Sequence, residues 1–578
     1  MRIKHFFGLA VIAAMTASCS SNNDLVNGGG NGENETGASY ASFKINLPTT
    51  SGTRADDPKP GTPSFNHGTA AEYEVKNGTI LIFDKDGKFV ESAELGTMNP
   101  WTDVKSDGVT TAAIATVKLE HVSVGANNYY KALVLLNNDV DATTKKVKLP
   151  TASTDTYANW SKDVSKVNAV NYAKTDGIFM ANAPMYNGTT KEPTTLVDIK
   201  GVYASKEEAQ AKPATTIYVE RGLAKVTMKD FETGGYSIGG GTYDGATVKI
   251  EKWQLDVTNK STYPVHQIGG LSSATTGFAD IWKTDRFYDQ TSTAFKRVYW
   301  GIDPNYSDNK YYAGDATTSP KKTALDCCKE AFNMITNNQV NGAAGEANPQ
   351  YCLENTFDLD NMMQGQTTRV VFKAVFTPKD LNSKYTTFYK IGNNTDIWSQ
   401  ENLEKQIKTV ALTAMGITDA EEQKKYGVDL TKGTNISGKA GQHLIEAANI
   451  TYSGEAASSQ VNPTAIAAIN EKLGLSDKVG ISTYLNGEAY YIARIKHFNE
   501  LTPWTAGKAY GTENDKYLGR YGVLRNNWYE LSVNKVSGLG YPDVPEVKPT
   551  LPDDENDQYI NVSVKILSWA KRSQSVDL

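Results

Sequence analysis

Two short motifs in the sequence contain residue types that perform catalysis in other proteins. Gly235-Tyr236-Ser237-Ile238-Gly239 has the G-x-S-x-G spacing of a nucleophile elbow, which requires a strand before the serine and a helix after it. More glycines and Thr242-Tyr243-Asp244-Gly245 follow, so the pattern favours a glycine-rich hairpin loop. Ser568-Trp569-Ala570-Lys571 has the S-x-x-K spacing, but neither a helical pattern nor the partner motifs accompany it. Neither motif predicts an active site.

Residue types that bind metals or phosphates also lack the spacing of a site. The six histidines are scattered and none forms H-E-x-x-H. Asp84 and Asp86 lack the further acidic positions of a calcium-binding loop, so a turn is the better interpretation. Gly239-Gly240-Gly241 has no following Lys-Ser/Thr that would bind phosphate. We therefore expect no cofactor, no metal and no enzymatic activity.

The chain has four cysteines, of which Cys327, Cys328 and Cys352 follow the N-terminal leader. Adjacent cysteines rarely pair with each other. Two alternatives therefore remain: one disulfide between Cys352 and either Cys327 or Cys328, or three buried free thiols. A zinc site would need a fourth ligand and a different spacing.

The first 19 residues have the pattern of an export signal. Arg2, Lys4 and His5 precede the apolar stretch 6–15, which is too short to span a bilayer. Small residues then lead to Cys19, as in a bacterial lipobox, so we expect lipidation at Cys19; an ordinary secretory leader with an incidental cysteine is the alternative. No other run of 18 apolar residues exists, which places any membrane attachment in this segment.

Length and charge limit the classes of function. The 578 residues are enough for several domains with their own cores. The net charge is −6 and no run of Lys or Arg occurs, so nucleic acid is not an expected partner.

The elements that would position any site are mostly short strands. After a tether rich in Asn and Gly, Phe43, Ile45 and Leu47 alternate with polar residues and predict a strand. Further strands separated by turns predict an antiparallel β-sandwich up to about residue 215 and a second β-rich block from residue 216. Helices are predicted in insertions of this second block, at 324–335, 402–415 and, with Asn462 as N-cap and Pro463 at the first position, 463–473.

Two features at the ends of the chain suggest assembly. Arg54 lies in an exposed stretch, 48–58, of the kind that a trypsin-like protease cleaves. At the other end, four prolines in 541–557 predict an extended, poorly packed tether. Beyond it, Ile560, Val562, Val564 and Ile566 alternate with polar residues as in a strand.

A cut after Arg54 would remove the Phe43-Ile45-Leu47 strand and leave a groove with unpaired backbone groups. The Ile560–Ile566 strand of a second copy has the period needed to fill that groove, which is donor-strand complementation. Such contacts would propagate head to tail as an open filament. The alternative is that Ile560–Ile566 is simply the last strand of its own domain.

Several segments resemble the fimbrilins of Bacteroidetes, that is, the FimA-type pilins and minor fimbrium subunits. The resemblance rests on the leader with Cys19, the Arg54-Ala55 junction, Val219-Glu220-Arg221 with Ala224-Lys225, Arg525-Asn526-Asn527-Trp528-Tyr529, and the ending 562–578.

The resemblance implies a mainly β protein with two transthyretin-like antiparallel β-sandwich domains, the second with helical insertions. Its divisions are 1–19 for the signal peptide, 20–54 for a propeptide with the removable strand, 55–215 and 216–540 for the sandwiches, and 541–578 for the tether and donor strand. The implied residues are a lipidated Cys19, cleavage between Arg54 and Ala55, and a donor segment from Ile560 to Trp569.

The implied function is that of a structural stalk subunit, carried as a lipoprotein to the outer membrane and then part of a surface fimbrium used in adhesion and biofilm formation. Its partners would be further copies of itself, anchor and tip subunits, and an arginine-specific extracellular protease; the surface ligand stays open. Alternatives are a tip or accessory subunit, and a surface lipoprotein that binds glycans.

Overall fold

The structure is a computed structural model. It describes residues 38–48, 68–96, 102–106, 109–125, 129–138, 145–151, 155–172, 177–186, 193–269, 298–358, 360–379, 386–436, 439–455, 459–497, 519–553 and 560–568. The fold is mainly β, as predicted from the sequence.

The N-terminal part is a nine-stranded sheet with the order β3-β2-β6-β7-β11-β1-β5-β4, in which β10 also pairs with β6. Its strands are β1 (Ser39–Pro48), β2 (Gly78–Asp84), β3 (Phe89–Glu94), β4 (Thr102–Ser106), β5 (Val109–Leu119), β6 (Tyr130–Leu136), β7 (Met180–Asn182), β10 (Val197–Asp198) and β11 (Thr215–Arg221). Between β7 and β10, β8 (Met185–Tyr186) and β9 (Pro193–Thr194) pair with each other in a separate two-stranded sheet. Among the described residues of this part, four short α-helices accompany the strands, α1 (Ala70–Tyr73), α2 (Tyr157–Trp160), α3 (Ala169–Tyr172) and α4 (Lys206–Ala211).

This sheet is apolar on both faces at β2 and β6, the second and third strands from one edge. Ile80, Ile82 and Val134 join an inner cluster with Phe43 and Ile45 from β1. The intervening residues of β2 and β6 face a second cluster, formed by Leu81, Phe83, Leu133, Leu135 and Trp160 among others. Continuous apolar runs in these strands therefore reflect burial on both sides.

The second part consists of two four-stranded sheets with the orders β17-β12-β27-β28 and β13-β14-β18-β26. They share one core to which both sheets contribute, including Val226, Leu531, Ile250, Phe372 and Tyr491. The elements are β12 (Ala224–Met228), β13 (Tyr236–Ser237), β14 (Thr247–Asp256), β15 (Thr258–Asn259), α5 (Lys310–Ala313), α6 (Ala324–Ala331), β16 (Phe332–Asn333), β17 (Gln350–Cys352), β18 (Arg369–Thr377), β26 (Glu488–Arg494), β27 (Asn527–Val536) and β28 (Ile560–Ser568).

An insertion between β18 and β26 forms its own small core of helices on a five-stranded sheet, ordered β20-β19-β25-β23-β22. Its elements are β19 (Phe388–Ile391), β20 (Trp398–Ser399), α7 (Gln400–Met415), α8 (Ala420–Lys424), β21 (Tyr426–Val428), β22 (Asn435–Ile436), β23 (Lys439–His443), β24 (Ile450–Tyr452), α9 (Pro463–Lys472) and β25 (Ile481–Tyr484). The predicted caps of α9 are confirmed, since the Asn462 side chain accepts a hydrogen bond from the Ala465 amide and Gly474 has a positive φ.

Helix α6 is shorter than the sequence predicted. It ends at Ala331, because Phe332 is extended and Phe332–Asn333 pairs with Thr258–Asn259. The Phe332 ring is then buried against Tyr311. Tertiary burial of the aromatic ring thus outweighs the local helical pattern.

The prediction of a poorly packed tether is wrong for residues 541–553. These residues, here called the C-terminal strap, dock on the second part of the molecule, and the side chains of Val544, Val547 and Asp553 are buried. Proline has no amide hydrogen, so it packs without cost at positions where no strand partner needs one. The four prolines of the strap therefore do not prevent its docking.

Candidate functional site

The predicted displaced strand is an internal strand of the N-terminal sheet. β1 pairs antiparallel with β5 and parallel with β11, so that Phe43 lies opposite Ala115 on one side and Thr215 on the other. Its backbone is therefore hydrogen-bonded along both edges. We call the position between β5 and β11 the β1 slot.

The predicted inward face of β1 is fully buried. Phe43 and Ile45 are 0% exposed and Leu47 is 1% exposed, and Ala41 continues the same face. They contact a cluster that includes Val117 and Ile217 from the neighbouring strands. At about 1.5–3 kcal/mol for each large side chain, these three residues contribute roughly 5–9 kcal/mol of apolar burial. Any strand that replaces β1 has to supply a similar apolar face.

The outer face of β1 is covered at one end by α4. The Ser42 hydroxyl donates to the Ala209 carbonyl at 2.9 Å and lies 2.8 Å from the Thr116 hydroxyl. Further along, the buried Asn46 side-chain oxygen has no hydrogen-bond partner among the described residues. A strand that occupies the slot thus needs apolar side chains on its inner face, whereas polar side chains are accommodated on its outer face.

The predicted donor strand lies on its own domain in this structure. β28 pairs antiparallel with β27 and is the outer strand of its sheet. Along the ladder, Val536, Val533, Leu531 and Tyr529 face Ile560, Val562, Val564 and Ile566 in that order. β28 therefore occupies the place that the alternative interpretation gave it, with one hydrogen-bonded edge instead of two.

Four of the predicted site residues, Cys19, Arg54, Ala55 and Trp569, lie outside the described residues. Lipidation and cleavage remain predictions from the sequence.

Two of the segments that carried the sequence resemblance, 219–225 and 525–529, meet between the two parts of the molecule. The Asn526 side-chain oxygen accepts hydrogen bonds from the amide and the guanidinium of Arg221, at 3.2 and 3.3 Å. The Asn526 amide donates to the Leu223 carbonyl at 2.8 Å, and Asn526 itself has a positive φ, which asparagine tolerates better than most residues. These motifs thus form the junction between the N-terminal sheet and the second part.

A buried ion pair lies at the centre of this junction. Lys225 Nζ is 2.7 Å from Glu72 Oε1 and 3.7 Å from the centre of the Trp528 ring. Tyr351 donates a hydrogen bond of 2.6 Å to the same carboxylate, and Arg221 Nε donates to the Glu72 carbonyl at 2.8 Å. Burial raises the pKa of Glu72, but the charge and hydrogen bond of Lys225 outweigh it and hold that pKa below its ordinary value.

Glu72 is a junction residue that sequence reasoning missed. It lies in α1, the first element that the structure describes after the predicted cleavage stretch. Its partners Lys225 and Tyr351 are more than 150 residues away, so no local spacing marks it. Glu72 is thus held by Lys225, Tyr351 and Arg221, none of which belongs to β1.

A second polar cluster lies nearby. Glu220 Oε1 is 2.6 Å from His266 Nδ1, and Arg525 Nε is 3.0 Å from Glu354 Oε2. Burial raises the pKa of Asp303 to about 7, although the Asn259 amide and two backbone amides donate to its carboxyl group. All five of these side chains are buried, which fits a structural role.

The chemical motifs rejected from the sequence have structural roles. Gly235 has a positive φ and opens the β13–β14 hairpin, as predicted; a Cβ there would lie 2.9 Å from the Val248 carbonyl oxygen. Asp84 accepts hydrogen bonds from the amides of Asp86 and Lys88, both at 2.9 Å, and so forms the predicted turn.

Cys327, Cys328 and Cys352 are buried free thiols, so the structure has the alternative without a disulfide. Burial raises the pKa of Cys328 and of Cys352 to about 12. Within the described ranges, no group of three or more His, Cys, Asp or Glu side chains could hold a metal ion. No helix in the part of the chain that the structure describes is long and apolar enough to cross a membrane.

Comparison with known proteins identifies the C-terminal region. Residues 482–575 match the model of the major fimbrial subunit protein type IV, fimbrillin, C-terminal. This range contains β26, β27 and β28. No curated protein matches the chain.

Solved structures similar to the chain have low scores. They include a cell adhesion protein from Parabacteroides distasonis, with 11% identity, coverage of 93% of this chain and 99% of that chain, and a TM-score of 0.36. The tip fimbrial protein Mfa3 from Porphyromonas gingivalis, with a C-terminal truncation, has 11% identity, coverage of 92% and 100%, and a TM-score of 0.28. The match of residues 482–575 to the fimbrillin C-terminal model confirms the predicted resemblance for this region of the chain.

Proposed function

We propose that this chain is a stalk subunit of a cell-surface fimbrium and that it polymerises by donor-strand exchange. It is exported as a lipoprotein through Cys19, and a protease with arginine specificity cuts between Arg54 and Ala55. β1 then leaves its slot, and the segment from Ile560 to Trp569 of a second copy enters. Adhesion and biofilm formation are the functions that such a filament supports.

The observation that carries this proposal is the internal position of β1. An internal strand that leaves exposes two unpaired backbone edges and an apolar groove, and such a surface readily binds another strand. The remaining sheet would be left open between β5 and β11. A processed subunit is therefore incomplete until a strand of similar pattern fills the slot.

The position of β28 supports the direction of the exchange. On its own domain, β28 is an outer strand that forms one ladder of backbone hydrogen bonds, with β27. In the slot of a second copy, the same strand would form ladders on both edges. At about 0.5–1.5 kcal/mol of net stability for each hydrogen bond, the second ladder favours the exchanged state.

The anchoring of Glu72 supports a clean release of β1. Glu72 is held at the junction by residues outside β1, so we expect a cut at Arg54 to leave α1 in its place. The processed subunit therefore retains the rest of its N-terminal sheet.

The test compares the full chain with a chain that ends at Asp557. Both are treated with an arginine-specific protease, cleavage is verified by mass spectrometry, and assembly is followed by unheated gels and electron microscopy. We expect filaments and denaturant-resistant ladders from the full chain and none from the shortened one. Equal assembly of both, or no assembly of either after verified cleavage, would contradict strand exchange; a surface lipoprotein that binds glycans would then be the better hypothesis.

A further inference from the structure

The C-terminal strap, residues 541–553, is fixed to the second part of the molecule at both of its ends. At its start, Tyr541 and Tyr490 exchange two backbone hydrogen bonds of 2.8 Å. At its end, the Gln364 amide donates to the Leu551 carbonyl at 2.9 Å, and the Asp553 amide donates to the Met362 carbonyl at 3.1 Å. The Thr367 hydroxyl also donates to the Asp553 carboxylate, which is fully buried.

The middle of the strap is held by a buried charge. Arg369 forms an ion pair of 2.8 Å with Asp256, and its guanidinium also donates to the Pro545 carbonyl at 2.7 Å. The Val544 amide donates to the Asn337 side-chain oxygen at 2.8 Å. Removing the strap would take this acceptor away from the buried guanidinium, so detachment has a free-energy cost.

Apolar contacts add to these polar ones. Val544 packs in a cluster with Val340, Val371 and Tyr490. Val547 packs in a separate cluster around α6. Pro549 lies against Gly365, where a Cβ would come within 3.0 Å of the proline ring. The strap thus fills space that belongs to the core of its own subunit.

We propose that the strap stays docked on its own subunit in the filament, and that the arm which reaches the second copy begins only after Asp553. This inference rests on the proposed function and specifies its geometry. Six residues, 554–559, separate Asp553 from the first residue of β28. At 3.3–3.6 Å for each residue, they span at most about 25 Å. The occupied slot of the second copy therefore begins within that distance of Asp553.

In the competing arrangement, the strap detaches during exchange and becomes part of an arm that begins at residue 541. Its span to Ile560 would be at most about 70 Å, so the spacing of subunits would be only loosely limited. It would also lose every contact of the strap described above. The two arrangements differ in whether the strap has to detach, and this can be tested directly.

An engineered disulfide at the end of the strap tests whether the strap has to detach. Met363 and Pro552 form an antiparallel bridge flanked by the hydrogen bonds of Gln364 and Asp553. Such pairs have Cα atoms about 4.5 Å apart, which lies within the range of disulfides. The full chain with Met363→Cys and Pro552→Cys is oxidised, processed and compared with its reduced form, with wild type and with Pro552→Cys alone.

We expect the oxidised double variant to form ladders within about twofold of its reduced form. Loss of ladders on oxidation, with recovery on reduction, would overturn the docked strap and leave strand exchange intact. Failure of wild type to form ladders under the same conditions would instead reject the proposed function.

A deletion provides the second measurement and decides the question if the cysteine substitutions themselves prevent assembly. Removing residues 554–559 joins β28 directly to Asp553, which is buried in its own subunit, and leaves a span of at most about 4 Å. With a docked strap, we expect at least a tenfold loss of ladder yield. Assembly at the wild-type yield would show that the strap supplies extra length, and would contradict the proposal.

Discussion

β1 and β28 share an alternating apolar pattern but occupy opposite kinds of position. β1 lies inside its sheet with two paired edges, whereas β28 lies at the margin of its sheet with one. The inward side chains of β1 complete the core of the N-terminal sheet. The comparison teaches that periodicity identifies a strand, while its place in the sheet determines what its removal does.

The largest expected effect concerns the event that empties the slot. Arg54→Ala should abolish assembly, because β1 stays covalently attached and the slot stays filled. Electron microscopy after protease treatment measures filaments, with Arg54→Lys treated with trypsin as the control that restores a cleavable bond. Filaments from uncleaved Arg54→Ala would contradict the proposed difference between the two strands.

The second prediction concerns the core face of β1. Phe43→Ala should lower the free energy of unfolding of the unprocessed chain by about 3–5 kcal/mol, because it opens a cavity in the inner cluster. The processed subunit lacks Phe43 and should be unaffected. Val117→Ala, which alters the wall of the same cluster, should destabilise both forms. Denaturant titration before and after cleavage distinguishes these cases.

The third prediction concerns the junction between the N-terminal sheet, which contains the β1 slot, and the second part, which contains β28. Glu72→Ala should cost about 3–5 kcal/mol, since it leaves Lys225 buried without its partner. The exposed Glu74→Ala is the matched control. Because the folded state lowers the pKa of Glu72 from 4.5, wild type has this stabilisation above about pH 4.5 and loses it as the pH falls further. Glu72→Ala should show a smaller loss over that range of acid pH, measured by thermal unfolding.

The smallest expected effect tests the difference between one and two paired edges. Ser563→Pro and Val564→Pro remove amides of adjacent residues, which point to opposite edges of β28. On its own domain, only the amide that faces β27 is needed, so one variant should keep wild-type monomer stability. In a slot paired on both edges, both variants should assemble about tenfold more slowly. Assembly of either at the wild-type rate would argue against pairing on two edges.

The strands and the helix α9 could be predicted because their signals are local. Alternation at Phe43, Ile45 and Leu47 requires only neighbouring residues, and so does the cap at Asn462. The parallel pairing of β1 with β11 could not be predicted, since it joins Phe43 to Thr215 across the whole N-terminal part. The site at Glu72 was hidden for the same reason.

The strap shows a different limit of sequence reasoning. Its prolines favour an extended chain, but a preference for one local conformation does not determine packing. Val544 and Val547 contact surfaces contributed by β18, β26 and α6, which come together only in the folded molecule. Composition alone therefore missed the burial of this segment.

The paired edges of β1 also have a mechanical consequence. A strand that is bonded along both sides and pulled along its own axis has to break all of its hydrogen bonds nearly together, as in shear. An outer strand, such as β28 on its own domain, can instead separate from one end, one hydrogen bond at a time. In the β1 slot of a second copy, β28 would accordingly resist tension far better than it does on its own domain. Traction from flow on such a filament would then act on strands paired along both edges.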